Sequence, residues 1–293
     1  MMRAMFPAPA IPTFEPGHSA DGTFHLRYED VTQDGRLIAI AVPSALATLW
    51  RDVLVDHPGA RNALNVGILP ILTRFTLRSF DQPIRVDREV HTHTGFALAH
   101  DPAGPRIFMH VWSELRGTAG KLGRNPTAGD LTLAGTLFAE HTFTRPLAPP
   151  DQRRVTKLDV EGYPALPERQ YVAPAPTTAQ EPPAGARWLD ELAPDSTEYA
   201  FSLDQTDPNQ HVNSLCYIRL FVEASNRRIA ASGKPMRIRC RAVDIAYRKP
   251  SFAGDKVRAN LRMFEHEGNL GTAGFVTGAD DKPRCYVRML FGP

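Results

Sequence analysis

Cysteine is scarce in this chain. Three residues, Cys216, Cys240 and Cys285, are spread over 293 positions with no Cys-x-x-Cys pair. That excludes a zinc ribbon and a disulfide framework from the expected architectures, and reduced thiols are the reading that remains. An excess of one charge is also lacking: 34 Lys and Arg stand against 32 Asp and Glu, for a net charge of +2. The arginines are scattered rather than clustered, which gives no ground for a nucleic-acid or anionic-membrane partner. No apolar run is long enough for a transmembrane helix. The proline-broken start, MMRAMFPAPAIPTFEPGHSA, holds no signal-peptide core. A soluble cytoplasmic protein is expected, with 42% hydrophobic and 23% charged residues, ordinary values for a globular chain.

Proline is abundant in two places, the N-terminal tail (residues 1–20) and the segment 164–185. Proline lacks an N–H and restricts its predecessor, so the second segment reads as an inter-domain linker. It separates an N-terminal domain, 21–163, from a C-terminal domain, 186–293. In the C-terminal part the pattern predicts a strand at Thr197–Leu203, a polar loop at 204–211, and a helix from about Val212 to Ala231. Leu215, Ile218, Val222 and Ile229 recur at helical spacing, and Gly233 with Pro235 stops the helix. Strands follow at 237–249, 255–265, 271–278 and 283–291. The N-terminal part predicts the same order: a strand Phe24–Tyr28, a polar loop Glu29–Arg36, a helix around 43–57, then strands near 69–80, 84–94, 106–116 and 131–144. One helix per antiparallel sheet is an α+β arrangement, met twice, as in a diverged duplication.

The segment DQTDPNQHVNSLCYIRLFVE (204–223) concentrates the chemistry. Asp207, Asn209, His211 and Asn213 occupy every second position and lead into the apolar helix. A thioester hydrolysis needs a water, a group that takes its proton, and donors for the oxyanion. Asp207 is the candidate general base or orienting carboxylate. His211 can exchange a proton near neutral pH. Asn209 is placed to orient the water or hold the carbonyl, and Asn213, read as within the first helical turn, to position substrate. Free N–H groups and the positive dipole end at the helix start would stabilise negative charge. The plainer alternative for a lone Asp or Asn here is helix capping. Glu223, inside an apolar helix, needs a partner if it faces the core, and Arg219 one turn earlier is the nearest; a supporting role behind the site is expected. Cys216 reads as a small apolar helix residue. His91-x-His93 points two imidazoles to one face of a strand but indicates no third metal ligand. Gly117, Gly120 and Gly123 form a loop between strands, not a phosphate-binding turn. No cofactor or metal is expected.

On the motif Asp207-Pro-Asn209-Gln-His211-Val-Asn213, with Tyr217 and Glu223 behind it and Tyr247-Arg248-Lys249 further on, the chain resembles the double-hotdog acyl-ACP thioesterases. The weaker N-terminal counterpart is Tyr28-x-Asp30 with Asp34-Gly35-Arg36, which lacks Asn-x-His. The resemblance implies two tandem hotdog domains, each an antiparallel sheet wrapped around a long central helix, with one active site in the C-terminal half. It implies an acyl-ACP or acyl-CoA substrate, docking of an acyl carrier protein, and a monomer or homodimer. Tyr217 and Ser251 are then expected to contact substrate, although Ser251, beside a turn, reads more plainly as a surface loop serine. Pro250 and Ser251 stand where the plant members carry an acidic residue and a cysteine, a departure that touches mechanism more than fold. Two other functions fit the same residues: a hotdog hydratase or dehydratase acting on a 3-hydroxyacyl thioester, and a non-catalytic acyl-binding protein. The spacing from Asp207 to His211, one residue shorter than the dehydratase pattern, and the Val-Asn after His211 favour hydrolysis.

Overall fold

A computed structural model of the chain describes residues 6, 8–104, 106–123 and 125–293. The chain divides into two compact units. One comprises residues 8–37 and 41–174; the other comprises Phe6, residues 38–40 and residues 175–293. The first carries β1 (Ser19–His25), α1 (Leu46–Leu49), α2 (Pro58–Asn65), β2 (Leu69–Ser79), β3 (Glu89–His100), β4 (Ile107–Thr118) and β5 (Leu131–Thr144). Its strands run antiparallel in the order β1-β3-β4-β5-β2. The second carries β6 (Arg187–Trp188), β7 (Ala193–Ala200), α3 (Ser214–Ala231), β8 (Arg239–Tyr247), β9 (Lys256–His266), β10 (Asn269–Gly278) and β11 (Pro283–Gly292). Here the antiparallel order is β7-β9-β10-β11-β8, with β6 also on β9. Strand, turn, helix and four strands therefore recur with one topology.

Burial follows the period of each element. β9 turns Val257, Ala259, Leu261 and Met263 inward and its Lys, Arg and Asn residues outward. β3 alternates Val90, Thr92 and Thr94 with exposed Glu89, His91 and His93; His93 reaches across to Asp21 on β1 at 2.8 Å. In α3 the inward stripe is Tyr217, Ile218, Leu220, Phe221, Ala224, Ser225 and Ile229, and the helix packs against all five strands β7 to β11. The Ser225 hydroxyl, 2.7 Å from that of Thr272 on β10, pins the helix over the sheet. Among the described residues no helix is long and apolar enough to cross a membrane.

Several sequence expectations shift. β1 is Ser19–His25, not Phe24–Tyr28, because the Asp30 carboxylate accepts from the Arg27 N–H and guanidinium and winds Tyr28–Asp30 into a 3-10 turn. β3 starts at Glu89, since Arg85 and Asp87 close an ion pair that holds the preceding turn. The N-terminal helix is interrupted: a 3-10 stretch Ala39–Ala45 containing Pro43, then α1, then a π turn Trp50–Leu54. Pro43 lacks the N–H an α-helix needs. α2 restarts behind His57, whose Nδ1 accepts from the Ala60 N–H, with Pro58 in the first position. The 9–14 part of the tail lies on the sheet, with the Trp112 indole donating to Pro9 O and the Phe14 ring against Trp112.

The 164–185 segment is held along its length. His100 on β3 brackets Arg169 and Tyr171 through backbone bonds of 2.9 Å each, and the Tyr171 hydroxyl donates to Glu140. Further on, a 3-10 turn, Pro176–Gln180, packs on β8, β10 and β11. Each unit also buries a charged pair between register neighbours on its β2–β5 or β8–β11 strands: Arg74 opposite Glu140, and Asp244 opposite Arg288 at 2.8 Å.

His110 and His141, on β4 and β5, are buried without a carboxylate partner. Burial drives the His110 pKa down to about 3, assisted by the Arg169 guanidinium that donates to its Nδ1 at 2.9 Å. Burial likewise takes His141 to about 4. His18 and His57 shift the same way, also through burial. Depressed folded-state values mean that the unfolded chain binds protons first. Their contribution is fully present above pH about 6.5 and is lost as pH falls toward 4 and below. Thermal unfolding should therefore show stability falling across that interval by on the order of 3 kcal/mol for His141 alone. His141→Leu should flatten that limb.

Candidate active site

The approach to α3 is built from short-range hydrogen bonds. Ser202 and Gln205 form a capping box around a 3-10 turn, Leu203–Gln205. Thr206 and Val212 pair as an antiparallel bridge, and within it the Asp207 N–H donates to His211 O at 2.9 Å and the Gln210 N–H to Asp207 O at 2.8 Å. Gln210 sits at the tip with φ +67°, a left-handed conformation for a residue with a Cβ. Such a conformation costs roughly 1–2 kcal/mol. The Asp207 carboxylate accepts the Asn209 N–H at Oδ1, leaving Oδ2 available. The Val212 N–H donates to Ser251 O at 2.8 Å, and the Asn213 N–H to Gln205 O at 2.7 Å, which ties the turn to its surroundings on both sides.

This arrangement brings Asp207, Asn209 and His211 onto one tight turn, with Asp207 half-buried and Asn209 and His211 exposed. No side-chain hydrogen bond joins Asp207 to His211; the link is their backbone pair. Asn213 is not within the helix, which begins at Ser214. It is the N-cap, and its Oδ1 accepts the Leu215 N–H at 2.9 Å while its carbonyl takes the Cys216 N–H. Two of the first-turn donors are thus occupied.

Tyr217 and Ser251 lie beneath the turn, 3% and 0% exposed. Their hydroxyls are close to each other but close no hydrogen bond, and each is buried without a partner. Burial pushes the Tyr217 phenol up to about 12, so it stays protonated. Glu223 is on the exposed face of α3, within electrostatic reach of Arg227 one turn later and away from the buried stripe. Arg227 itself binds the buried Asp195 carboxylate. Cys216 is half-buried, its thiol raised by burial, in line with a packing residue.

The first unit contains the same turn with other residues. Val31 and Leu37 form the bridge, the Thr32 N–H donates to Arg36 O at 2.8 Å, and the Gly35 N–H to Thr32 O at 2.9 Å. Gly35 has φ +82° where the other turn has Gln210. In this register Thr32, Asp34 and Arg36 replace Asp207, Asn209 and His211, and Asp30 corresponds to Gln205 rather than to the motif aspartate. Asp34 is engaged by Thr32 and by Arg36 at 2.9 Å. A cavity of about 450 Å³ borders this turn, lined by Tyr28, Thr32, Asp34 and Lys121 among others. A second, apolar cavity of about 370 Å³ opens where the π turn meets α2, lined by Trp50, Leu54, Ala63, Ile68, Met109 and Phe143 among others. Sequence reasoning missed this cavity; the His57-Pro58 pair that restarts the helix was the available signal.

No protein-family model and no curated protein sequence matches the chain. Solved structures do. A protein of Lactobacillus plantarum assigned as an oleoyl thioesterase superposes with a TM-score of 0.66 at 16% identity, covering 93% of this chain and 94% of that one. An acyl-ACP thioesterase of Bacteroides thetaiotaomicron gives 0.60 at 14%, over 94% and 98%. The 12:0-ACP thioesterase of Umbellularia californica gives 0.59 at 13%, over 94% and 97%. The likeness to thioesterases of the hotdog family is thus one of fold, and it spans nearly the full length of each chain.

Two variants test the local roles. Asn213→Ala should lower stability by about 1 kcal/mol in chemical denaturation, whereas Asn213→Asp retains the cap. Ser251→Ala removes a buried hydroxyl that has no partner, so the midpoint should stay level or rise.

Proposed function

We propose that this protein hydrolyses acyl thioesters carried on a phosphopantetheine arm, in acyl-ACP or acyl-CoA, and is built as two tandem hotdog domains, the second around the long helix α3 and the first around an interrupted one. Residues 21–163 would form the N-terminal domain and 186–293 the catalytic one. The observation that carries the reading is the 206–213 turn, which gathers a carboxylate with one uncommitted oxygen, an amide and an exposed imidazole directly ahead of α3. Support for the architecture comes from the repeated strand order, the packing of α3 on five strands, and the full-length likeness to structures described as thioesterases.

In this reading Asp207 Oδ2 orients a water against the thioester carbonyl. His211 carries its proton to the departing thiolate. The Asn209 side-chain amide, with the Ser214 N–H at the positive end of the helix dipole, faces the developing oxyanion. Asn213 contributes by holding the helix start, and Tyr217 and Ser251 lie beneath the turn rather than meet substrate, while Glu223 faces away from it. The first unit's turn has no carboxylate in the position of Asp207 and no imidazole, which supports one catalytic turn per chain. The apolar cavity of the first unit has a lining suited to a hydrocarbon chain and a size within the range of ligand pockets.

Thiol release from a panel of acyl-CoA and acyl-ACP substrates tests this. Asp207→Asn and His211→Ala should each lower kcat by roughly 100-fold or more with unchanged thermal unfolding. Wild-type turnover in both variants rejects the site, and enoyl formation from a 3-hydroxyacyl thioester would move the assignment to a dehydratase.

A further inference from the structure

His211 is exposed, and its contact with another side chain is with the Phe252 ring, at a centroid distance of 5.3 Å and an interplanar angle of 65°. Phe252 is itself 48% exposed, an unusual place for a large apolar side chain on a short turn. The turn that carries it is closed on itself. The Phe252 N–H donates to Asp255 Oδ2 at 3.0 Å and the Asp255 N–H returns to Phe252 O at 3.1 Å. The turn is also anchored to the end of β7, with the Gly254 N–H donating to Phe201 O and the Phe201 N–H to Asp255 O. One further bond, Val212 N–H to Ser251 O at 2.8 Å, locks the residue after His211 to the residue before Phe252. The two rings are therefore held in register by backbone on both sides.

From this geometry we infer that Phe252 is a positioning residue for the His211 imidazole, a role that rests on the hydrolytic reading of the turn. An exposed histidine without a hydrogen-bond partner samples several rotamers, which spreads the positions from which it can pass a proton. An edge-to-face aromatic neighbour on a rigid support narrows that distribution, as a carboxylate or carbonyl does for better-buried catalytic histidines. The orienting group here is apolar. It restrains the ring without competing for either nitrogen, so both nitrogens stay free to pass a proton.

The test uses the full chain. Phe252→Ala should lower kcat roughly two- to tenfold, the range expected for one aromatic contact, with KM and thermal unfolding unchanged. Phe252→Tyr should restore kcat. In the His211→Ala background Phe252→Ala should have no further effect. Independently of activity, the His211 ring-proton NMR signals, assigned by their loss in His211→Ala, should move in Phe252→Ala as the ring current is removed. Unmoved signals, or an undiminished kcat in Phe252→Ala, overturn the inference. A fully active His211→Ala enzyme instead overturns the hydrolytic reading, and the signal shift then decides alone whether Phe252 fixes the ring.

Discussion

Helix α3 can lie against five strands only if the backbone groups at its N-terminal end find partners, because donors removed from water without a bond cost more than packing returns. The chain entering the helix supplies them. Asn213 takes two first-turn N–H groups, one on its side chain and one on its carbonyl, and the Thr206–Val212 bridge delivers Asn213 to that position. Asp207, Asn209 and His211 lie in the loop that this bridge closes.

The same constraint explains why both units keep the turn while the side chains along it differ. In each, an antiparallel bridge closes a loop with a left-handed residue near its tip, and in each a 3-10 turn precedes it. Gly35 adopts the left-handed conformation freely, and Gln210 does so at a cost. Where Thr32, Asp34 and Arg36 stand, the side chains satisfy one another. Where Asp207 and His211 stand, an oxygen and an imidazole are left over. Strain and unspent polar capacity coincide in the second unit, as is common at working sites.

Much of this was legible in residue order. The α3 stripe follows from Ile218 and Ile229 at helical spacing, and most of the strands fall where alternation puts them. The motif turn was legible as a cluster. Its internal division of labour was not, because whether Asn213 caps or binds depends on a single position relative to the first helical residue. Glu223 was similarly ambiguous: an acid among apolar helix residues can face either way until the sheet is placed, and it faces out. The interrupted helix of the first unit was harder, since Pro43 and Pro58 each permit a helix start as well as a break. The early end of β1 turned on Asp30 reaching back to Arg27, an interaction with little periodic signature.

Two units with one topology pose a hazard during folding, since a strand of one can attempt to dock in the other. The buried charge pairs bear on this. Strand β2 contains arginines and no carboxylate, and β5 contains Glu140 with neither lysine nor arginine. Were β2 to replace β8 beside β11, Arg288 would be entombed opposite a strand offering no anion; were β8 to lie beside β5, Asp244 would meet only His141 as a basic group. An ion left alone in the interior costs about 3–5 kcal/mol. Arg74 opposite Glu140 and Asp244 opposite Arg288 are thus each matched in charge within their own half, and exchanging β2 for β8 would leave the Asp244–Arg288 pair unmatched.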